Sequence, residues 1–167
     1  MKHSVLHYFI VLLISASIMA CDLLVDLKAT ATKLAFRAPI SDTTIPRDTV
    51  LFTGRDIKSY NGTTGEVIFT DSLAMKHTLS YHKISCYLNS DSLFTATLTS
   101  DIMSSVVNDL VLNHNLSDGK YYFENGYPAS IDNLGTHSIR IQNKEKRAVA
   151  WARFIAQLKT EKRFVEN

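Results

Sequence analysis

The sequence predicts an α+β domain: an antiparallel β-sheet packed by one C-terminal amphipathic helix, after a signal peptide and a disordered tether. Three observations lead there. Residues 78–99 alternate apolar and polar about a turn, the period of a hairpin with one buried side. Ala148, Trp151, Ile155 and Leu158 recur at spacings of 3, 4 and 3, the period of a helix. Residues 1–21 hold a short apolar run that ends on a cysteine.

That run has the three parts of an export signal. Lys2 supplies a positive n-region, YFIVLLI from Tyr8 an apolar core, and SASIMA a small-residue approach to Cys21. The apolar block is too short to span a bilayer, which takes about 20 residues. Ile18-Met19-Ala20-Cys21 reads as a lipobox, so residues 1–20 are expected to be removed and the Cys21 thiol to carry a lipid. The expected address is the bacterial cell envelope, anchored in the outer membrane, with the periplasmic or surface face undecided.

The expected mature chain is 147 residues long, one domain plus a tether. Hydrophobic residues make up 46% of the whole sequence, enough for a core without disulfide staples. Cys86 is the only other cysteine, so with Cys21 acylated no intramolecular disulfide can form. Charge is uneven: residues 22–142 carry a net −3 and residues 143–167 a net +4. The basic end reads as a solvated helix face. Export argues against nucleic acid as a partner.

Residues 21–47, with Pro39 and Pro46 and no sustained apolar period, read as a lipid-anchored flexible tether; residues 48–167 read as the domain. Val50-Leu51-Phe52 and residues 66–70 read as two strands about the turn at residues 60–65, where Asn61-Gly62 admits positive φ. Ile84, Cys86 and Leu88 then share one strand face, and Phe94, Ala96 and Leu98 share one face of the next. Cys86 is expected in the core as a small apolar residue. Residues 101–116 fit a helical face or a strand. The turn Ser117-Asp118-Gly119-Lys120 and the run Tyr121-Tyr122-Phe123 favour a hairpin over residues 108–124, with a helical turn at 101–106 and a break at Asn125-Gly126 and Tyr127-Pro128. The final helix is expected over about residues 143–163, with Asn143 as N-cap and Trp151 at the centre of its packing.

No catalytic signature stands out. His77, His82, His114 and His137 form no helical i, i+4 pair, and no Cys-x-x-Cys exists, so no metal and no cofactor is expected. There is no Gly-x-Ser-x-Gly elbow or phosphate-binding glycine loop. Glu66 and Glu124 precede the helix with no pattern to pair them. The remaining feature is the aromatic cluster about Tyr121, Tyr122 and Tyr127, which as an exposed face could stack on a sugar or peptide.

The blocks LFTGRDIKSYNGTTGEVIFTDSL (51–73) and NDLVLNHNLSDGKYYFENGYP (108–128), with KRAVAWARFIAQL, resemble small uncharacterised lipoproteins of Bacteroides-type gut bacteria over roughly residues 48–160. The resemblance implies an envelope location and no catalytic residues. Envelope proteins of such bacteria are O-glycosylated at Asp-Ser/Thr before an aliphatic residue, Met or Thr, which marks Thr43, Thr49, Ser72 and Ser92. Many of their surface lipoproteins carry acids directly after the cysteine; here Asp22-Leu23-Leu24-Val25-Asp26 departs from that pattern. The expected function is a non-enzymatic binding or interaction module for a protein or glycan, held to the membrane through Cys21. The alternative is a small envelope hydrolase with a site assembled from scattered residues.

Overall fold

In the computed structural model the described residues are 34–38, 49–71, 75, 80–130 and 135–166. The expected signal peptide, Cys21 and most of the expected tether lie outside them. Among the described residues lie nine strands and two α-helices: β1 (Leu34–Arg37), β2 (Val50–Thr53), β3 (Ile57–Asn61), β4 (Glu66–Phe69), β5 (Lys83–Leu88), β6 (Asp91–Ser100), β7 (Val107–Asn115), β8 (Lys120–Tyr127), α1 (His137–Lys146), α2 (Ala148–Thr160) and β9 (Phe164–Val165). They form one sheet in the order β2-β1-β5-β6-β7-β8-β4-β3-β9. The sheet is mixed, not antiparallel as expected: β6 pairs parallel with β7, and β3 with β9.

The sheet is rolled around α2. Five strands separate β2 from β4 in the sheet order. At about 4.8 Å per strand step they would stand roughly 29 Å apart on a flat sheet. Yet Phe52 of β2 and Phe69 of β4 meet edge to face at 5.4 Å. The roll closes on Phe154, which is fully buried in α2 and touches Phe36 (β1), Tyr60 (β3), Phe94 (β6) and Phe123 (β8) at 5.4–6.2 Å. Leu158, one turn on, is also fully buried. Trp151, expected at the centre, is half-buried at the edge of this contact. The apolar stripe points one residue away from where its 3-4-3 spacing alone would aim it.

Three elements differ from expectation for definable reasons. Leu34–Arg37, expected in the tether, is a strand between β2 and β5, with Leu34 and Phe36 facing the core. The domain therefore reaches back at least to residue 34. Residues 57–61, expected in a turn-like connection, form β3, paired with β4 about the loop at residues 61–65. Asn143 is no N-cap: it lies inside α1, where its side-chain amide donates to the Asn108 carbonyl at 2.9 Å. α1 escapes a hydrophobic reading because it docks by polar contacts. Its buried residue is Arg140, whose guanidinium donates to the Pro128 carbonyl at 3.0 Å, while Ile139 and Ile141 are exposed.

The two central hairpins form as expected. β5 and β6 pair with Ile84, Cys86, Phe94, Ala96 and Leu98 buried on the α2 side. β7 and β8 pair about residues 116–119, and β8 runs on through Asn125-Gly126 to Tyr127 instead of breaking there. Residues 101–106 make a turn and then an irregular link, not a helical turn. These six residues join neighbouring parallel strands, a task that usually takes a dozen or more. They return over the face away from α2. There Asp101 accepts from Asn113 Nδ2 at 3.4 Å and from the Leu116 amide at 3.1 Å, and Thr99 Oγ1 donates to Asn113 Oδ1. The polar groups this buries, Thr99 and Asn113, are thus bonded to each other.

Cys86 is fully buried, and burial pushes its thiol well above the usual range. Peptide-resolved iodoacetamide labelling at neutral pH should leave Cys86 unmodified in the folded protein and label it fully in guanidinium. Rapid labelling without denaturant would place it outside the core.

Candidate functional site

A groove of about 420 Å³ lies where the β3–β4 loop, β8 and the α1–α2 junction meet. Two glycines shape one wall. A Cβ on Gly62 would stand 2.4 Å from the Phe164 ring, and one on Gly65 would stand 2.5 Å from the Phe123 carbonyl oxygen. Gly65 also has φ +76°, and its carbonyl accepts from the Phe123 amide at 2.9 Å. The loop is thereby pinned to β8. Asn61 Oδ1 accepts from the Thr63 and Thr64 amides at 2.9 and 3.0 Å and fixes the loop from within.

The opposite wall is helical. Arg147 ends α1 and precedes α2, with φ −96° and ψ 1°. Its guanidinium bonds Asp109 of β7 and Asn125 of β8, which locks the junction onto the sheet. Burial lowers the Arg147 pKa and the Asp109 charge opposes that shift. Lys144, one turn earlier and exposed, has no ion pair among the described residues. Trp151 forms the aromatic side, braced by Phe123 at 5.6 Å and Tyr60 at 6.1 Å.

Tyr60 and Phe123 also line the groove. Tyr60 is 4% exposed, and burial pushes its phenol up to about 12, so it stays a protonated donor. Its hydroxyl has no hydrogen-bond partner among the described residues. Among the described lining residues there is no carboxylate, imidazole or thiol. The walls offer aromatic faces, N–H and O–H donors and positive charge.

A more open depression of about 250 Å³ adjoins it across Asn125 and Lys144, with Glu124 and His137 among its lining residues. Burial, with Asp101 nearby, raises the Glu124 carboxyl pKa.

The aromatics expected to contact a ligand fall elsewhere. Tyr121 is buried, stacked on His114 at 4.5 Å and edge-on to Phe69. Tyr127 is buried too, and its hydroxyl donates to the Ser100 and Met103 carbonyls at 2.9 and 3.2 Å. Tyr121 nevertheless lines a separate depression of about 260 Å³ with Glu66, Phe69 and Lys120. Tyr122 is half-buried and its hydroxyl donates to Asp118 Oδ2 at 2.8 Å. None of the three lines the main groove. Thr49 is half-buried beside β2 and Ser92 is exposed at the start of β6, while Cys21, Thr43, Ser72 and His77 lie outside the described residues. Of the histidines, His82 and His137 are exposed and His114 is half-buried. Among the described residues no three His, Cys, Asp or Glu side chains gather as metal ligands.

The groove residues were present in the sequence as other things: Lys144 and Arg147 as helix decoration, residues 60–65 as a turn. One signal does point there. Lys144 and Ala148 extend the Trp151 stripe backward at helical spacing, placing a cation in line with the tryptophan.

No family model, curated protein or solved structure matches the chain. Among the described residues no helix is long and apolar enough to cross a membrane.

Proposed function

We propose that this protein is a lipid-anchored binding module of the bacterial cell envelope, of the kind found as small lipoproteins in Bacteroides-type bacteria. The reading places it at the outer membrane through an acylated Cys21, with the groove as its ligand site. The observation that carries the binding role is the groove itself, about 420 Å³ with Trp151, Tyr60 and Phe123 as apolar surfaces and Lys144 at one end. That size and mix of faces suit a small ligand or one residue of a larger one. The anchor rests on the n-region, apolar core and lipobox of residues 1–21. The Asp-Ser/Thr sites at Thr43, Thr49, Ser72 and Ser92 are proposed acceptors for O-glycans.

Two measurements test the two halves. Cys21→Ser should abolish incorporation of a fatty-acid probe and leave the precursor uncleaved; undiminished labelling of the variant rejects the anchor. Trp151 is the only tryptophan in the chain, so its emission reports on the groove directly. Acrylamide should quench it efficiently in the folded protein. Resistance to quenching would mean a closed groove and no binding site there.

The neighbouring depression favours a second reading, a small hydrolase using a carboxyl of raised pKa, Glu124, and the His137 imidazole, which both line it. Hydrolysis of an ester or glycoside substrate that Glu124→Gln removes, with the fold intact, would favour it.

A further inference from the structure

We propose that the groove takes an acidic saccharide: a sugar ring against Trp151 with its carboxylate at Lys144. This rests on the groove being a ligand site.

The charge balance comes first. Two cations line the groove and no acid does. Arg147 is already matched by Asp109, an ion pair in which the arginine side chain is 10% exposed. Lys144 has no such match among the described residues. One uncompensated positive charge therefore stands at the helical end, and it selects an anion.

The donor count comes second. Thr64 Oγ1 accepts from the Glu66 amide at 3.3 Å, which leaves its hydroxyl proton to donate. Asn125 Oδ1 is taken by Arg147, so the amide nitrogen of Asn125 faces outward as a donor. The Tyr60 hydroxyl, on a side chain 4% exposed and without a partner among the described residues, adds a third. That hydroxyl is not among the sealed polar atoms of the core, and from the groove wall it can donate to a ligand oxygen. A surface so rich in donors suits a ligand rich in acceptor oxygens.

Shape comes third. Trp151, held by Tyr60, Phe94, Phe123 and Phe154 at 5.1–6.1 Å, is a rigid platform. Inorganic phosphate would satisfy the charge and leave that platform unused. A neutral sugar would use the platform and leave Lys144 unmatched. A sugar ring bearing a carboxylate uses its C–H face, its hydroxyls and its charge together.

The test is a titration of Trp151 emission in the full chain, held in a detergent without sugar groups. The probes are trigalacturonate, neutral galactotriose and inorganic phosphate. Trigalacturonate should shift the emission and bind at least about tenfold more tightly than galactotriose, the scale of one charge-assisted hydrogen bond. Lys144→Gln should remove that preference and Lys144→Arg should keep it. Lys144 is exposed, so neither change threatens the fold. Equal affinity for both sugars, saturation by phosphate with an equal shift, or no shift with either sugar would each overturn the proposal. Because acrylamide access to Trp151 is measured separately, an open groove that ignores trigalacturonate rejects the acidic saccharide alone. A groove closed to acrylamide rejects the binding site as well.

Discussion

A chain that begins at residue 47 is expected not to fold, whereas one that begins at residue 32 should melt cooperatively. The difference is β1. It lies between β2 and β5, so its loss breaks both ladders and leaves β2 without a neighbour among the described strands. It also removes Leu34 and Phe36, both buried, and the stacked Phe36–Phe52 pair at 4.2 Å. Truncating one buried Phe and one buried Leu costs about 5–10 kcal/mol together. A domain of this size has about 5–15 kcal/mol in all. Circular dichroism and guanidinium melts of the two chains decide it; equal midpoints would show that β1 is dispensable.

Phe154→Ala is the most damaging single substitution expected. The ring is fully buried and is shared by strands from both halves of the sheet, so the space it leaves cannot be filled from one side. The expected cost is about 3–5 kcal/mol, a fall in Tm of about 10–20 °C. Trp151→Ala should cost clearly less, since that ring is half-buried and borders the groove. Thermal melts that put Trp151→Ala below Phe154→Ala would show that the helix is centred on the tryptophan after all.

Both predictions turn on where sequence reasoning succeeds and where it stops. The β5–β6 hairpin was legible because its strands alternate apolar and polar residues about a short turn, and β7–β8 because the turn at residues 117–120 is followed by the run Tyr121-Tyr122-Phe123. β1 was not, because four residues give too short a period and its partners lie a dozen and some fifty residues downstream. The parallel β6–β7 pair was hidden by its six-residue link, which reads as a helical turn and is shorter than the usual parallel crossover. α1 carries its docking information in Arg140 and Asn143, and hydropathy does not register hydrogen bonds to Asn108 and Pro128. The groove was hidden for a related reason. Its walls come from a loop, three strands and a helix junction, and nothing local says that Asp109 and Asn125 will hold Arg147 where they do. The tyrosines stood out by composition, yet two of them serve the core.

The rolled sheet also sets a timetable. Ribosomes deliver a chain from its first residue, and here the piece that fills the centre is among the last to arrive. All of β1 to β8 is made before Phe154 and Leu158 exist to occupy the roll. β9, which closes the β3 edge through the Tyr60 and Gly62 amides, comes later still. Until then the aromatic side of the strands has nothing to enclose, and such surfaces are where half-made chains cling to one another. The nascent polypeptide is therefore a natural client for chaperones that hold without folding. A premature stop anywhere before residue 154 would leave no smaller version of the protein, only an unfinished one.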